Sequence, residues 1–358
     1  MTSSKAMAEV VVGGLGAATP IGRTAWAAAA AVRAGVSAMA DHSFMVDSEG
    51  NPMRVAQCPW LVSEPRIEAR IADCLVVAVR GALQPLADAG QTVRGLLPLL
   101  FVNLPPDRPA LPPSLVATVR ASLGQALPGQ FAGIEIMQKG HAGGLVALEA
   151  AVQSLRLNRA DACIVAGADS YMDPDMLEWL EQTEQLHGAG PRNNAWGFIP
   201  GEGAGAVLVM QPGAVRRAKM PHLGRIVGLG VGRETNLIRT GTVCIGKGLT
   251  TAFVDAFAGL PMGARVTDMY CDMNGEPYRA DEFGFAVTRT RERFISATDF
   301  VAPADCWGDV GAASAPLGIA LACIASFKRY ANGPAALVWA SSDAGDRGAA
   351  LVASAGEA

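Results

Sequence analysis

The stretch GHAGGLVALEAAVQSLRLNRADACIVAGADS, residues 140–170, divides into three pieces. GHAGG is a turn of small residues that presents one larger side chain, His141. Residues 145–157 then carry apolar side chains at helical intervals, and ADACIVAGADS, 160–170, is a short apolar run of the length of a fully buried strand. Such a turn delivers a side chain to the tip of a helix, where unpaired amide N–H groups and the helix dipole favour negative charge. A nucleophilic Cys or Ser suits that tip, and the chain places a histidine there.

The same pattern returns in GDVGAASAPLGIALACIASFKRYANGPAALVWASSDAG, residues 308–345: a turn of small residues around Asp309, an apolar helix, a polar break and a buried strand ending in Ser and Asp. The openings also match, since VVVGGLGAAT (10–19) and HLGRIVGLGVGRET (222–235) are both glycine-interrupted strands. Two copies of one α/β unit imply two halves, 1–213 and 214–358, packed about a pseudo-two-fold axis. The polar, proline-bracketed segment PGAVRRAKMPH (212–222) is the most linker-like between them. In such packing His141 and Asp309 are equivalent positions and should meet near the axis.

Composition narrows the function classes. The chain has 358 residues, half of them hydrophobic and 17% charged, with a formal net charge of -4, so a large core is expected and no basic footprint for nucleic acid. No apolar run approaches the ~20 residues of a membrane span, and MTSSKAMAEVVVGG lacks the basic and apolar regions of a secretory signal. A cytoplasmic protein is expected. The seven cysteines (58, 74, 163, 244, 271, 306, 323) form no C-x-x-C pair, so neither a disulfide framework nor a metal site is expected. No cofactor is expected either.

Further elements follow from the same periodicities: a helix over 24–35, a long helix over 66–90, strands over 95–104 and 131–137, a helix over 113–124 and a strand over 200–211.

At this point several segments resemble one family. VVVGGLGAATPIG (10–22), GFIPGEGAGAVLVM (197–210), the 140–170 stretch and WGDVGAASAPLGIAL (307–321) together resemble the β-ketoacyl synthases (3-oxoacyl-ACP synthases) of the thiolase-like superfamily. The resemblance implies a five-layer αβαβα fold of two duplicated halves with two mixed sheets. It also implies a dimer across edge strands of the first half, with a homodimer or a heterodimer with a related synthase both open. Acyl carrier protein or acyl-CoA thioesters are the ligands it suggests, in a tunnel lined by small and aliphatic residues.

The family's chemistry needs a cysteine nucleophile and two partners, His-His or His-Asn. Carried over by position, the cysteine falls on His141, the histidine of the N-A-H-G-T segment falls on Asn274 with Gly275 retained, and the third partner falls on Asp309. All three identities are replaced. The first expectation is a degenerate, non-condensing homologue that binds an acyl chain or thioester, or pairs with a partner protein as chain-length factors do. The second is an acyl thioester hydrolase or acyltransferase run by a His141/Asp309 pair, with His141 as general base and Asn274 as donor.

Phe198 and Arg279 are expected at the substrate pocket, with Gly275 beside them. Cys306 and Cys271, each three residues before a site residue, are placed at its mouth. The charged run over 272–289 otherwise reads as a solvated loop, and Glu202 as a shaper of the core between the halves.

Overall fold

A computed structural model describes residues 9–90 and 96–355. Residues 1–8, on which the reading of the N-terminus rests, and Gly95, the first residue of an expected strand, lie outside the described residues.

Strand β1 (Val10–Ala18) is buried at all nine positions. Helix α1 (Ala25–Arg33) follows, its first turn capped by the Thr24 hydroxyl, which accepts from Ala27 N at 3.1 Å. A hairpin of β2 (Met39–Val46) and β3 (Pro52–Ala56) forms a separate two-stranded sheet. Then come α2 (Ile67–Ala89), β4 (Leu99–Leu104), α3 (Leu115–Ala126), β5 (Gly133–Gln138), α4 (Gly143–Arg156) and β6 (Ala162–Ser170). The half closes with α5 (Pro174–Gln182), capped by Asp173, and β7 (Glu202–Met210). Its hairpin and α5 bury Met45, Met53, Met176 and Leu177 against each other.

The remaining elements are α6 (Pro212–Ala218), β8 (Gly224–Arg233), α7 (Lys247–Phe257), β9 (Asp268–Cys271), α8 (Pro277–Thr290), α9 (Ala304–Trp307), α10 (Ser314–Phe327), β10 (Ala335–Ser341) and β11 (Asp346–Ala353). Two readings change here. The linker-like segment 212–222 begins with α6, because Pro212 starts a helix whose Ala214, Val215 and Ala218 are buried. The run over 272–289 is mostly α8, and Asp272, Glu276, Arg279 and Glu282 are buried in pairs rather than solvated, while Asp281 and Arg289 are exposed.

The strands form a nine-stranded mixed sheet in the order β5-β4-β6-β7-β1-β8-β11-β10-β9. Where two separate sheets were expected, one continuous ladder is found: Val10, Val11 and Val12 of β1 pair with Ile226, Arg225 and Gly224 of β8. Either side of that seam the order is the same. β6 lies parallel to β4 and antiparallel to β7, which pairs β1; β10 lies parallel to β9 and antiparallel to β11, which pairs β8. The folded sheet and its helices make five layers. α2 and α3 cover one outer face and α7 and α8 the other, while α4 and α10 are packed between the two arms.

The glycines of the two opening strands have the same physical role. A Cβ at Gly16 of β1 would stand 1.7 Å from the Ala78 carbonyl oxygen of α2, and one at Gly230 of β8 would stand 2.1 Å from the Ala252 oxygen of α7. Outer helices therefore sit on bare backbone, closer than any side chain allows. Between the arms α10 is buried on all sides from Ala315 to Ala325. Each of its Leu and Ile side chains contributes about 1.5–3 kcal/mol by leaving water. This packing fixes where the tips of α4 and α10 meet.

Candidate active site

Four segments converge where the tips of α4 and α10 meet. The turn before α4 carries His141, held by Asn103 at the end of β4, whose Nδ2 donates to the oxygens of Gly140 (2.7 Å) and Ala312 (3.1 Å). Asp309 precedes α10 and follows Gly308, whose φ of 72° turns the chain out of α9. Residues 199–201 fix its backbone: Asp309 N donates to Ile199 O at 2.7 Å and Gly201 N to Asp309 O at 2.8 Å. The GFIPGEG segment thus serves as a clamp on the facing half.

His141 Nε2 lies 2.8 and 3.0 Å from the two Asp309 oxygens. Asn274 Nδ2 donates to Asp309 Oδ2 at 2.6 Å, and Gly311 N to Oδ1 at 2.7 Å. His141, Asn274 and Asp309, expected together from the resemblance, therefore lie in hydrogen-bond contact. A carboxylate only accepts, so Nε2 carries a proton and the Arg279 nitrogen 3.4 Å from it is a neighbouring charge rather than a hydrogen-bond donor. Burial and Arg279 oppose a charged imidazole, but the charge and hydrogen bond of Asp309, with the charge of Asp272, leave the His141 pKa raised. Burial likewise opposes the Asp309 carboxylate, yet His141, Arg279 and Asn274 hold its pKa far below the ordinary value. Both shifts favour an imidazolium–carboxylate ion pair.

Around it, Arg279 is fully buried and donates to Asp272 Oδ2 at 2.7 Å and to Ser341 O at 2.8 Å. Arg239 pairs Glu276 and approaches Asp343 at 3.4 Å, and Arg108 pairs Asp169. Two contacts reach across the seam in matching ways. Ser342, after β10, accepts from Ala142 N at the α4 tip at 2.9 Å, and Asp169, on β6, accepts from Ala312 N at 2.9 Å before α10. Asp169, Ser342 and Arg108 did not figure in the sequence reading as site residues. The signal was present in the paired strand ends ADS and SSD.

A cavity of about 270 Å³ opens on this cluster. Phe198, His141, Arg279, Arg108, Tyr171 and Trp179 are among its lining residues, and Phe198 meets Tyr171 edge-on at 5.4 Å between ring centroids. Gly275 does not line the cavity; its φ of 106° makes the turn between Asn274 and Glu276. Cys306 is corrected: it lies buried in α9, outside the cavity lining, because the turn at Gly308 carries α9 away from the tip. Cys271 is buried too, its thiol donating to Val301 O at 3.6 Å, and burial drives its pKa up. Among the described residues no cysteine lines the cavity. A second, smaller space of about 20 Å³ lies against Asp309 between Tyr270, Trp307 and Val338.

The beta-ketoacyl synthase N-terminal domain family matches residues 140–212, which run from the His141 turn through β7. Solved structures extend the likeness over nearly the whole chain. A complex described as a type II PKS acyl-carrier protein with its ketosynthase bound to the hexaketide (AntDE:AntF) superposes with a TM-score of 0.78 at 14% identity, covering 97% of this chain and 99% of that one. The fold is that of the ketosynthases. The ishigamide ketosynthase/chain length factor gives 0.75 at 16% identity over 98% and 100% of the two chains. The ketosynthase from module 6 of the bacillaene synthase from Bacillus subtilis 168 gives 0.71 at 15% identity over 96% and 72%. No curated protein matches the sequence. Within this ketosynthase fold, no helix among the described residues is long and apolar enough to cross a membrane.

Proposed function

We propose that this chain is a non-condensing ketosynthase homologue, a cytoplasmic protein that works by pairing with a partner protein such as a related synthase, with its halves divided at 213/214. The observation that carries the reading is the His141–Asp309 ion pair at 2.8 Å where a thiol would be needed. Condensation needs a thiolate that takes an acyl group as a thioester, and an imidazolium has no lone pair free for that attack. The other polar groups of the site are spent on one another: Asn274 on Asp309, and Ser342 on the Ala142 amide that would otherwise face an oxyanion.

Asp309 accepts the Nε2 proton and raises the His141 pKa, which opposes the free base that a hydrolase or acyltransferase would require. Strand β5, the outer strand of the first half, offers an edge for a homodimer or heterodimer. Acyl carrier protein or acyl-CoA remains the ligand class for the cavity over Phe198 and Arg279.

Incubation of the purified protein with acyl-CoA and acyl-carrier thioesters of increasing length tests this, reading both released thiol and protein-bound acyl mass. No sustained thiol release is expected, and co-expression with a related synthase is expected to give a stable complex. Sustained release that disappears in His141→Ala would overturn the reading in favour of a His141/Asp309 hydrolase.

A further inference from the structure

Away from the central site, the side chains of Glu234, Cys244 and Glu282 meet between the end of β8, the start of α7 and α8. Glu234 follows β8; its Oε1 accepts from Thr235 N at 3.1 Å and its Oε2 from Gly248 N at 3.0 Å in the first turn of α7. Glu282 of α8 is fully buried. Its Oε1 accepts from Arg347 Nε at 2.5 Å and from the Cys244 thiol at 3.7 Å. Its Oε2 is buried without a hydrogen-bond partner among the described residues. Donor atoms of Glu234, Cys244 and Glu282 all lie within 4.8 Å of one another.

Such a grouping is costly as it stands. A buried acceptor left unpaired costs about 1–3 kcal/mol, and more when it is charged. Two carboxylates here face one guanidinium, that of Arg347. The thiol adds a third acidic group that burial and both carboxylates disfavour as an anion unless a cation joins them.

We propose that Glu234, Cys244 and Glu282 form a binding site for a divalent metal ion of the zinc type. Cys244 supplies a thiolate and each glutamate one oxygen, and a water completes a tetrahedral set. On binding, the sulfur–metal bond forms as the thiol proton leaves to solvent, with no change of oxidation state. The charges then balance: two carboxylates, one thiolate, one guanidinium and a dication sum to zero, whereas the protonated, metal-free cluster carries one net negative charge. Sulfur in the set selects Zn²⁺ or Co²⁺ over Mg²⁺ and Ca²⁺, which take oxygen donors. Metal–ligand bonds of about 2.0–2.3 Å require the donors to draw together by roughly 1 Å. Cys244 can supply that movement, being in a loop and only half-buried. It also lines an open cavity of about 430 Å³ with Trp196, Val243 and Phe285, which gives an ion its way in.

The full-length protein, freed of any affinity tag and stripped with chelator, is titrated with Zn²⁺ by calorimetry and with Co²⁺ by absorption. The expected result is one equivalent of each per chain, with a thiolate-to-cobalt charge-transfer band. Cys244→Ser is expected to abolish the band and weaken Zn²⁺ binding at least tenfold; Glu282→Gln is expected to weaken it at least tenfold while keeping the band at high Co²⁺. Cys306→Ser, outside the cluster, is expected to change neither. Failure of the unaltered protein to bind a stoichiometric ion, or a band that survives Cys244→Ser, overturns the site. Should Glu282→Gln fold poorly because Arg347 loses its partner, Cys244→Ser alone decides. These readouts are independent of thioester turnover.

Discussion

Glu202 and Asp309 are both buried carboxylates near the seam of the molecule, and each makes four polar contacts with three groups. Glu202 takes Arg70 through Nε (2.9 Å) and Nη2 (2.6 Å), the Cys58 amide at 2.7 Å and the Ser170 hydroxyl at 2.9 Å. Asp309 takes Asn274, the Gly311 amide and His141 through two contacts. Their cations differ. Arg70 is permanently charged and buried, so the first cluster has one state, and it ties β7 to α2 within the first half rather than joining the halves. His141 titrates and stands on a cavity wall. The first arrangement holds a fold; the second keeps a polar site that chemistry or a ligand can address.

Removing the fixed cluster should therefore cost most. Glu202→Ala leaves Arg70 charged and buried without its partner, and a loss of about 3–5 kcal/mol is expected from the urea unfolding midpoint. Asp309→Ala should cost less, about 3 kcal/mol, because His141 can shed its proton once the carboxylate is gone while Arg70 cannot. An equal or larger loss for Asp309→Ala would break the distinction. His141→Gln should cost least, about 1–2 kcal/mol, since an amide still donates to Asp309 and only the charge is lost. Its heat of unfolding and thioester binding, measured with the same preparations, separate a weakened pair from a collapsed cavity.

The comparison also marks what the sequence could tell. Elements whose burial is uniform, such as β1, β6, β7 and α10, are legible as apolar runs, because one strand or helix suffices to show the pattern. The meeting of His141 with Asp309 was legible only through the repeat, which converts two distant turns into neighbours. α8 was misread because Glu276, Arg279 and Glu282 look solvated one at a time: Arg239 and Arg347 lie elsewhere in the fold, and Asp272, just after β9, meets Arg279 only once strand and helix pack. Cys306 failed for the opposite reason: three residues of separation implied proximity, and a positive-φ glycine reversed it. The hairpin β2–β3 is too exposed for its alternation to stand out, with Phe44 and Val46 facing solvent. Pairwise electrostatics and turn geometry are not properties of a local window, and those are the features that were missed.

The smallest expected effect is the one that tests the titrating cation directly. The folded-state pKa of His141 lies above its ordinary 6.5, so its contribution is complete below 6.5 and is lost as pH rises through the raised value. The folded-state pKa of Asp309 lies below its ordinary 3.8, so its contribution is complete above 3.8 and is lost as pH falls through the depressed value. The pair is thus at full strength between 3.8 and 6.5. Other groups titrate in the same range, and His42 and His222, whose pKa values are lowered, act with the opposite sign. A difference measurement removes them. The unfolding free energy of the unaltered protein minus that of His141→Gln should be flat between 3.8 and 6.5 and fall at higher pH. A His141→Gln difference that rises with pH would mean that the ring is neutral in the fold, and the base that the non-condensing reading denies to this site would then be present.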